Sequence, residues 1–199
     1  IEAMEKSGDK YKIVNEGAAF YGPKMDFEIY SSIGRSFTAS TNQLDLFMGK
    51  QFELKYTDSD GQSKIPAIIH RAPLGTHERF IGFLIEHFAG AFPTWLSPVQ
   101  VSVIPISDKH LEAARGIVTQ LKEAGVRVEL DDSNETLGKK IRSWKLAKTP
   151  YAVVLGDKEV ESGILAVETR SGEKQSLSAE DFIARLKKEI ANRVKKKKK

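Results

Sequence analysis

The hydrophobic periodicity of this chain changes character once, across Ala91-Phe92-Pro93-Thr94-Trp95-Leu96-Ser97-Pro98. Each proline there removes a backbone N–H and drives the residue before it out of the helical region, so neither a helix nor a central strand runs through. Upstream, short runs alternate at period two: Met25 to Tyr30, Ser36 to Thr41, Gln43 to Phe47, Phe52 to Tyr56 and Pro66 to His70. Gly34 and Asp58-Ser59-Asp60-Gly61 supply turns between them. Strands in such succession predict an antiparallel sheet, class α+β once a helix from about Thr76 to Gly90 is added. Downstream, strands at Val99 to Pro105, Val126 to Leu130, Tyr151 to Leu155 and Ile164 to Thr169 alternate with amphipathic helices. The first helix carries Leu111, Ala114, Ile117, Val118 and Leu121, capped by Ser107 or Asp108. The second carries Leu137, Ile141 and Trp144, capped by Ser133 or Asn134, and the last opens at Ser178-Ala179-Glu180. That order predicts an α/β domain with a mainly parallel sheet. The expected organisation is therefore residues 1–96, residues 97–194 and a lysine tail at 195–199.

Charge has to be read locally. The net charge is +4, but Lys195 to Lys199 carry five positive charges, and removing them takes the net to −1. The tail reads as a solvated end, and the overall charge makes no case for nucleic acid. With no cysteine, disulfides and cysteine-based zinc sites are excluded. No apolar run approaches the roughly 20 residues that span a bilayer, so no membrane partner and a cytoplasmic setting are expected. The N-terminus lacks signal-peptide order and does not begin with Met, which predicts a piece of a longer protein.

Two stretches can carry chemistry. In Ile69-His70-Arg71-Ala72-Pro73-Leu74-Gly75-Thr76-His77-Glu78-Arg79-Phe80, a strand ends, small residues turn the chain and a helix begins. A planar, permanently charged Arg79 at that helix start can hold a phosphate or stack on a base. On its own it also reads as a surface arginine pairing with Glu78 or Glu86, and His70 as a strand-end histidine bonded to a neighbour. In Phe20-Tyr21-Gly22-Pro23-Lys24-Met25-Asp26, Gly-Pro sets a sharp bend and Lys24 stands at the strand entrance, against an anion or simply solvated. In the second half, Lys139, Lys140, Arg142, Lys145 and Lys148 fall together with no acidic residue among them. They predict a basic helix face suited to phosphates, with Trp144 in the core because its spacing matches Leu137 and Ile141.

Taken in order, Tyr21-Gly22-Pro23-Lys24-Met25-Asp26-Phe27, Thr41-Asn42-Gln43-Leu44-Asp45, Ile69-His70-Arg71-Ala72 with Gly75 and Glu78-Arg79-Phe80, and His87 to Leu96 closely resemble the late catalytic domain of threonyl-tRNA synthetases. Glu78-Arg79 is similar to the third signature motif of class II synthetases. Asn134-Glu135, Ile141-Arg142 and Gly156 to Gly163 are similar to the family's anticodon-binding domain. The resemblance covers nearly the whole chain. It implies a partial class II antiparallel catalytic sheet followed by an α/β anticodon-binding domain.

The resemblance also implies function. The parent protein would activate threonine with ATP and Mg²⁺ to threonyl-AMP and transfer it to tRNA-Thr, as a homodimer, while residues 1–199 alone would be inactive. Arg79 would bind ATP. Tyr21, Lys24 and Gln43 would line the amino-acid and adenylate pocket. His70 would be one ligand of a Zn²⁺ ion that grips the amino and hydroxyl groups of threonine. Asn134 and Glu159 would read anticodon bases, and Lys139, Lys140 and Arg142 would face tRNA. The family's remaining zinc ligands and first two class II motifs would lie upstream. At Thr38 the family often has a glutamine that contacts ATP, and at Glu168 a basic residue, so neither role carries over. The rival readings are a non-catalytic tRNA-binding or accessory protein and a prolyl- or glycyl-type class II synthetase.

Overall fold

The computed structural model of the chain describes residues 1–193, so the lysine run at 195–199 lies outside the described residues. Contacts divide the chain into two units, 1–83 and 84–199. In the first, a short helix α1 (Glu2–Ser7) precedes strand β1 (Lys24–Tyr30), strand β2 (Ser36–Asp45), one helical turn α2 (Met48–Gln51) and a small hairpin, β3 (Tyr56–Thr57) with β4 (Ser63–Lys64). Strand β5 (Ile68–Ala72) and helix α3 (His77–Phe88) follow. The expected antiparallel sheet is present in the order β1-β2-β5.

Three details depart from the sequence expectation. Ser36 to Asp45 forms one strand where two were expected, because Asn42 stays in register with both Met25 and Arg71. Phe52 to Tyr56 is not a strand: Phe52 closes α2, Glu53 takes a left-handed φ of 50° and pairing starts only at Tyr56. Pairing of β5 starts at Ile68 and not at Pro66, since proline has no N–H for a ladder. The hairpin turn Asp58 to Gly61 forms as expected, with Lys64 bonded to both Asp58 and Asp60.

The second unit alternates as read. It contains β6 (Val101–Pro105), α4 (Leu111–Glu123) entered through a 3₁₀ turn, β7 (Val128–Leu130), α5 (Leu137–Ala147), β8 (Tyr151–Leu155), α6 (Asp157–Ser162), β9 (Ile164–Thr169), β10 (Lys174–Ser178) and α7 (Ala179–Ala191). The sheet order is β10-β9-β8-β6-β7. β6 runs parallel to β7 and β8, β9 is antiparallel to β8, and β10 is antiparallel to β9, so β9 alone opposes the other four strands. One face packs Val101, Val103, Val153, Leu165 and Val167 against Ala114, Val118 and Leu121 of α4 and Phe182 and Leu186 of α7. The other packs Ile104 and Ala152 against Leu137, Ile141 and Trp144 of α5. Thr136, not Ser133 or Asn134, caps α5, while Ser178 caps α7 as expected.

The proline-rich segment packs within this second unit. Arg170 donates to the carbonyls of Ala91, Phe92 and Lys148. Thr94 and Tyr151 donate their hydroxyls to opposite oxygens of Glu189, at 2.5 and 2.6 Å. Among the described residues, no helix is long and apolar enough to cross a membrane.

Candidate functional site

One face of the β1-β2-β5 sheet carries polar side chains in register. Lys24 pairs across β2 with Gln43, and Gln43 with His70. The next row is Asp26, Thr41 and Ala72. Period-two alternation sends these residues to one side of the pleat. An open hollow of about 320 Å³ is lined by Thr41, Gln43, His70, Arg71 and Ala72. Lys24 Nζ lies 2.7 Å from Asp26 Oδ2, and Thr41 donates its hydroxyl to Asp26 Oδ1 at 2.7 Å. The Lys24 contact holds the Asp26 carboxyl below its usual range, and the same contact raises the Lys24 ammonium. Gln43 Nε2 is buried with no hydrogen-bond partner in the described protein. Such a donor has strong reason to find an acceptor, because an unpaired buried amide costs about 1–3 kcal/mol.

The Gly-Pro bend brings Tyr21 to this face. Leu46 N donates to Tyr21 O and Leu44 N to Pro23 O, so the bend lies against the end of β2. A Cβ on Gly22 would stand 2.2 Å from the Leu44 carbonyl oxygen, which explains glycine there. The Tyr21 ring then meets the His70 ring edge-on, centroids 6.2 Å apart. His70 Nε2 lies 2.9 Å from Asp45 Oδ2, and Asp45 is 1% exposed. The backbone N–H groups of Met48 and Phe47 also donate to Asp45 Oδ1. The Met48 N–H, followed by the His70 contact, holds this carboxyl below its usual range. Asp45 and Asp26 had no role in the sequence reading, although Thr41, Gln43 and Asp45 share one strand face by spacing alone.

Arg79 is not among the residues that line the hollow. It is exposed in the first turn of α3, its backbone N–H donates to Thr76 Oγ1 at 3.3 Å, and its guanidinium forms no hydrogen bond or ion pair among the described residues. The alternative pairing with Glu78 or Glu86 is not made among the described residues.

The second set of candidates gathers at the carboxyl ends of β6, β7 and β8. Open α/β sheets bind ligands at that edge, where successive connections leave to opposite faces. Here α4 covers one face and α5 the other. Asn134 is exposed on the loop leaving β7. Glu159 lies in α6, its Oε2 accepting from Gly156 N at 3.0 Å, which caps the helix and leaves Oε1 for another donor. A Cβ on Gly156 would stand 2.6 Å from Ile106 Cδ1, the movable end of an exposed side chain, and 3.2 Å from Glu159 Oε2.

The basic helix face is smaller than its sequence suggests. Lys140 is 6% exposed and its ammonium donates to Asp131 O at 3.0 Å and Pro105 O at 3.4 Å. The expectation that it faces tRNA is therefore corrected: it joins the ends of β6 and β7 beneath the loop that carries Asn134. Lys139 pairs with Glu135 at 2.5 Å, Lys145 with Glu168 at 3.4 Å, and Lys148 donates to Ala89 O. Arg142 is exposed, with no partner for its guanidinium among the described residues.

Comparison with known proteins gives both units a family. Residues 3–88 match the tRNA synthetase class II core domain (G, H, P, S and T), and residues 100–189 match an anticodon binding domain. The threonine--tRNA ligase of Thermotoga neapolitana is 52% identical over 194 residues, covering 96% of this chain and 30% of the relative. That of Clostridium tetani is 49% identical over 193 residues, with the same coverage of both chains. The chain thus spans about 30% of the length of the curated relatives it matches. The RNA binding domain of threonyl-tRNA synthetase from Cryptosporidium parvum Iowa II superimposes with a TM-score of 0.84 at 34% identity, over 94% of this chain and 48% of that one. A class II core segment followed by an anticodon-binding fold, at about half identity to threonine--tRNA ligases over nearly its whole length, belongs to the threonyl-tRNA synthetase family.

Proposed function

We propose that this chain is a working part of a threonine--tRNA ligase, which forms threonyl-AMP from threonine and ATP with Mg²⁺ and passes the acyl group to tRNA-Thr. The observation that carries the reading is the row Lys24, Gln43 and His70 beside Tyr21, with an unpaired buried donor on Gln43. Lys24 offers a cation to a carboxylate or phosphate oxygen, its ammonium already steered by Asp26. Gln43 Nε2 donates to an acceptor of the bound amino acid or adenylate. Arg79 neutralises phosphate oxygens as charge spreads over them during carboxylate attack. His70 has one ring nitrogen without a partner and so fits a share of a zinc site, although no group of three or more His, Cys, Asp or Glu residues among the described ones is disposed to hold a metal. Bound zinc supplies a Lewis-acid site for the amino and hydroxyl groups of threonine. Homodimerisation and a cytoplasmic setting belong to the same proposal.

The test is amino-acid-dependent ATP–pyrophosphate exchange by the full-length protein. Threonine should drive exchange, while proline and glycine should not. Exchange with proline or glycine in place of threonine would assign the chain to a sister enzyme, and no exchange at all would leave the tRNA-binding reading.

In the second unit, Asn134 and Glu159 Oε1 face bases of the tRNA anticodon and Arg142 faces a phosphate, with Lys139 contributing when Glu135 releases it. Each phosphate contact releases counterions, so Arg142→Ala should reduce the slope of log affinity against log salt by about 0.7–0.9. Lys140→Met should weaken tRNA binding with the slope unchanged, because its ammonium bonds two backbone carbonyls. A slope reduced by Lys140→Met and untouched by Arg142→Ala would reverse the two assignments.

A further inference from the structure

We infer that Asp45 is the positioning residue for His70, fixing the imidazole so that Nδ1, and not Nε2, is the nitrogen offered to a metal. The inference rests on the reading of His70 as a zinc ligand. Asp45 lies on the same face of β2 as Gln43, and His70 reaches it diagonally across the strand pair, since the backbone partner of Asp45 is Ile68. One carboxylate oxygen is committed to the N–H groups of Phe47 and Met48, each at 2.9 Å, where the chain turns into α2. The other oxygen faces His70 Nε2 at 2.9 Å.

A carboxylate in this geometry is an acceptor, so the neutral imidazole carries its proton on Nε2. The lone pair is then on Nδ1, which has no partner among the described residues. The Tyr21 ring stands edge-on to the imidazole, centroids 6.2 Å apart. Metal-ligating histidines generally hand their other N–H to a carboxylate in this manner, which fixes the tautomer and raises ligand basicity. Asp45 is nearly inaccessible to solvent, and two backbone N–H groups hold its carboxylate in place.

The experiment has three arms. Long-range ¹⁵N–¹H correlation spectra of the metal-free 199-residue chain should show His70 protonated at Nε2. In Asp45→Asn the amide oxygen still accepts from Phe47 and Met48, and its NH₂ now donates to Nε2. The imidazole proton should therefore move to Nδ1. Competition against a chelator in the full-length protein should then give about 10–100-fold weaker zinc binding for Asp45→Asn. An Nδ1-protonated His70 in the unaltered chain overturns the inference even if the variant does not fold. So does an unchanged tautomer in Asp45→Asn, or zinc affinity within two-fold of the unaltered protein. His70→Ala separates the two levels. If it keeps stoichiometric zinc, the ligand reading fails and the Asp45 proposal with it. If it loses zinc while Asp45→Asn does not, the ligand reading stands and only the positioning role is wrong.

Discussion

Replacing Arg79 with alanine in the full-length protein is expected to lower kcat/KM for threonine-dependent ATP–pyrophosphate exchange by about 100–1,000-fold. The guanidinium is exposed and has no partner among the described residues, so the folded protein does not use it to hold itself together. At the start of α3 the backbone N–H of Arg79 donates to Thr76 Oγ1, a bond that alanine retains. Stability should accordingly stay within about 0.5 kcal/mol. In the proposed reaction, negative charge on the phosphate oxygens grows as the threonine carboxylate attacks. A fixed cation therefore matters more in the transition state than in the ground state, and kcat should fall more than the threonine KM rises. Arg79→Lys keeps the charge and loses the planar fork, so its loss should be intermediate. Exchange by Arg79→Ala within two-fold of the unaltered protein would show that Arg79 has no ATP role.

The two halves of the fold were legible because their periodicities differ. Period-two runs marked β1, β2 and β5, and helical spacing marked α3, α4, α5 and α7. In the second unit β10 and α6 escaped, as α1 and α2 did in the first. β10 is a half-exposed edge strand whose apolar content is a single Leu177, so no alternation announces it. α6 has six residues between two glycines, too short for a face to emerge. Lys140 is more instructive. Its spacing from Leu137 and Trp144, three and four residues, puts it on the apolar face of α5, where its charge alone argues against placing it. Only tertiary structure supplies what makes that burial tolerable, the two carbonyls at the ends of β6 and β7. Asp45 is the mirror case. Spacing set it on the face with Gln43, but the two amides that hold its carboxylate come from a helical turn that no periodicity predicted.

Trp144→Ala should destabilise the second unit by about 3–5 kcal/mol through lost burial and the cavity left behind. The ring is 3% exposed, packed against Ile104 and Ala152 of the sheet and Leu137 and Ile141 of its own helix. Its Nε1–H donates to Thr149 O at 3.1 Å, just before β8 begins, and alanine would leave that carbonyl unpaired. Against a typical domain stability of about 5–15 kcal/mol, this removes about a fifth or more. At about 4–8 °C per kcal/mol for a unit near 100 residues, the thermal midpoint should fall by at least about 12 °C. Trp144→Phe keeps most of the apolar contact and loses only the donor, so its loss should be smaller, about 1–3 kcal/mol. The functional readout separates this role from a base-stacking one. Held at a temperature where Trp144→Ala remains folded, tRNA affinity should match the unaltered protein, because the proposed tRNA contacts Arg142, Asn134 and Glu159 keep their places. A tryptophan that stacked on an anticodon base would behave in the opposite way. Alanine there would cost about 1–3 kcal/mol of tRNA affinity and little stability.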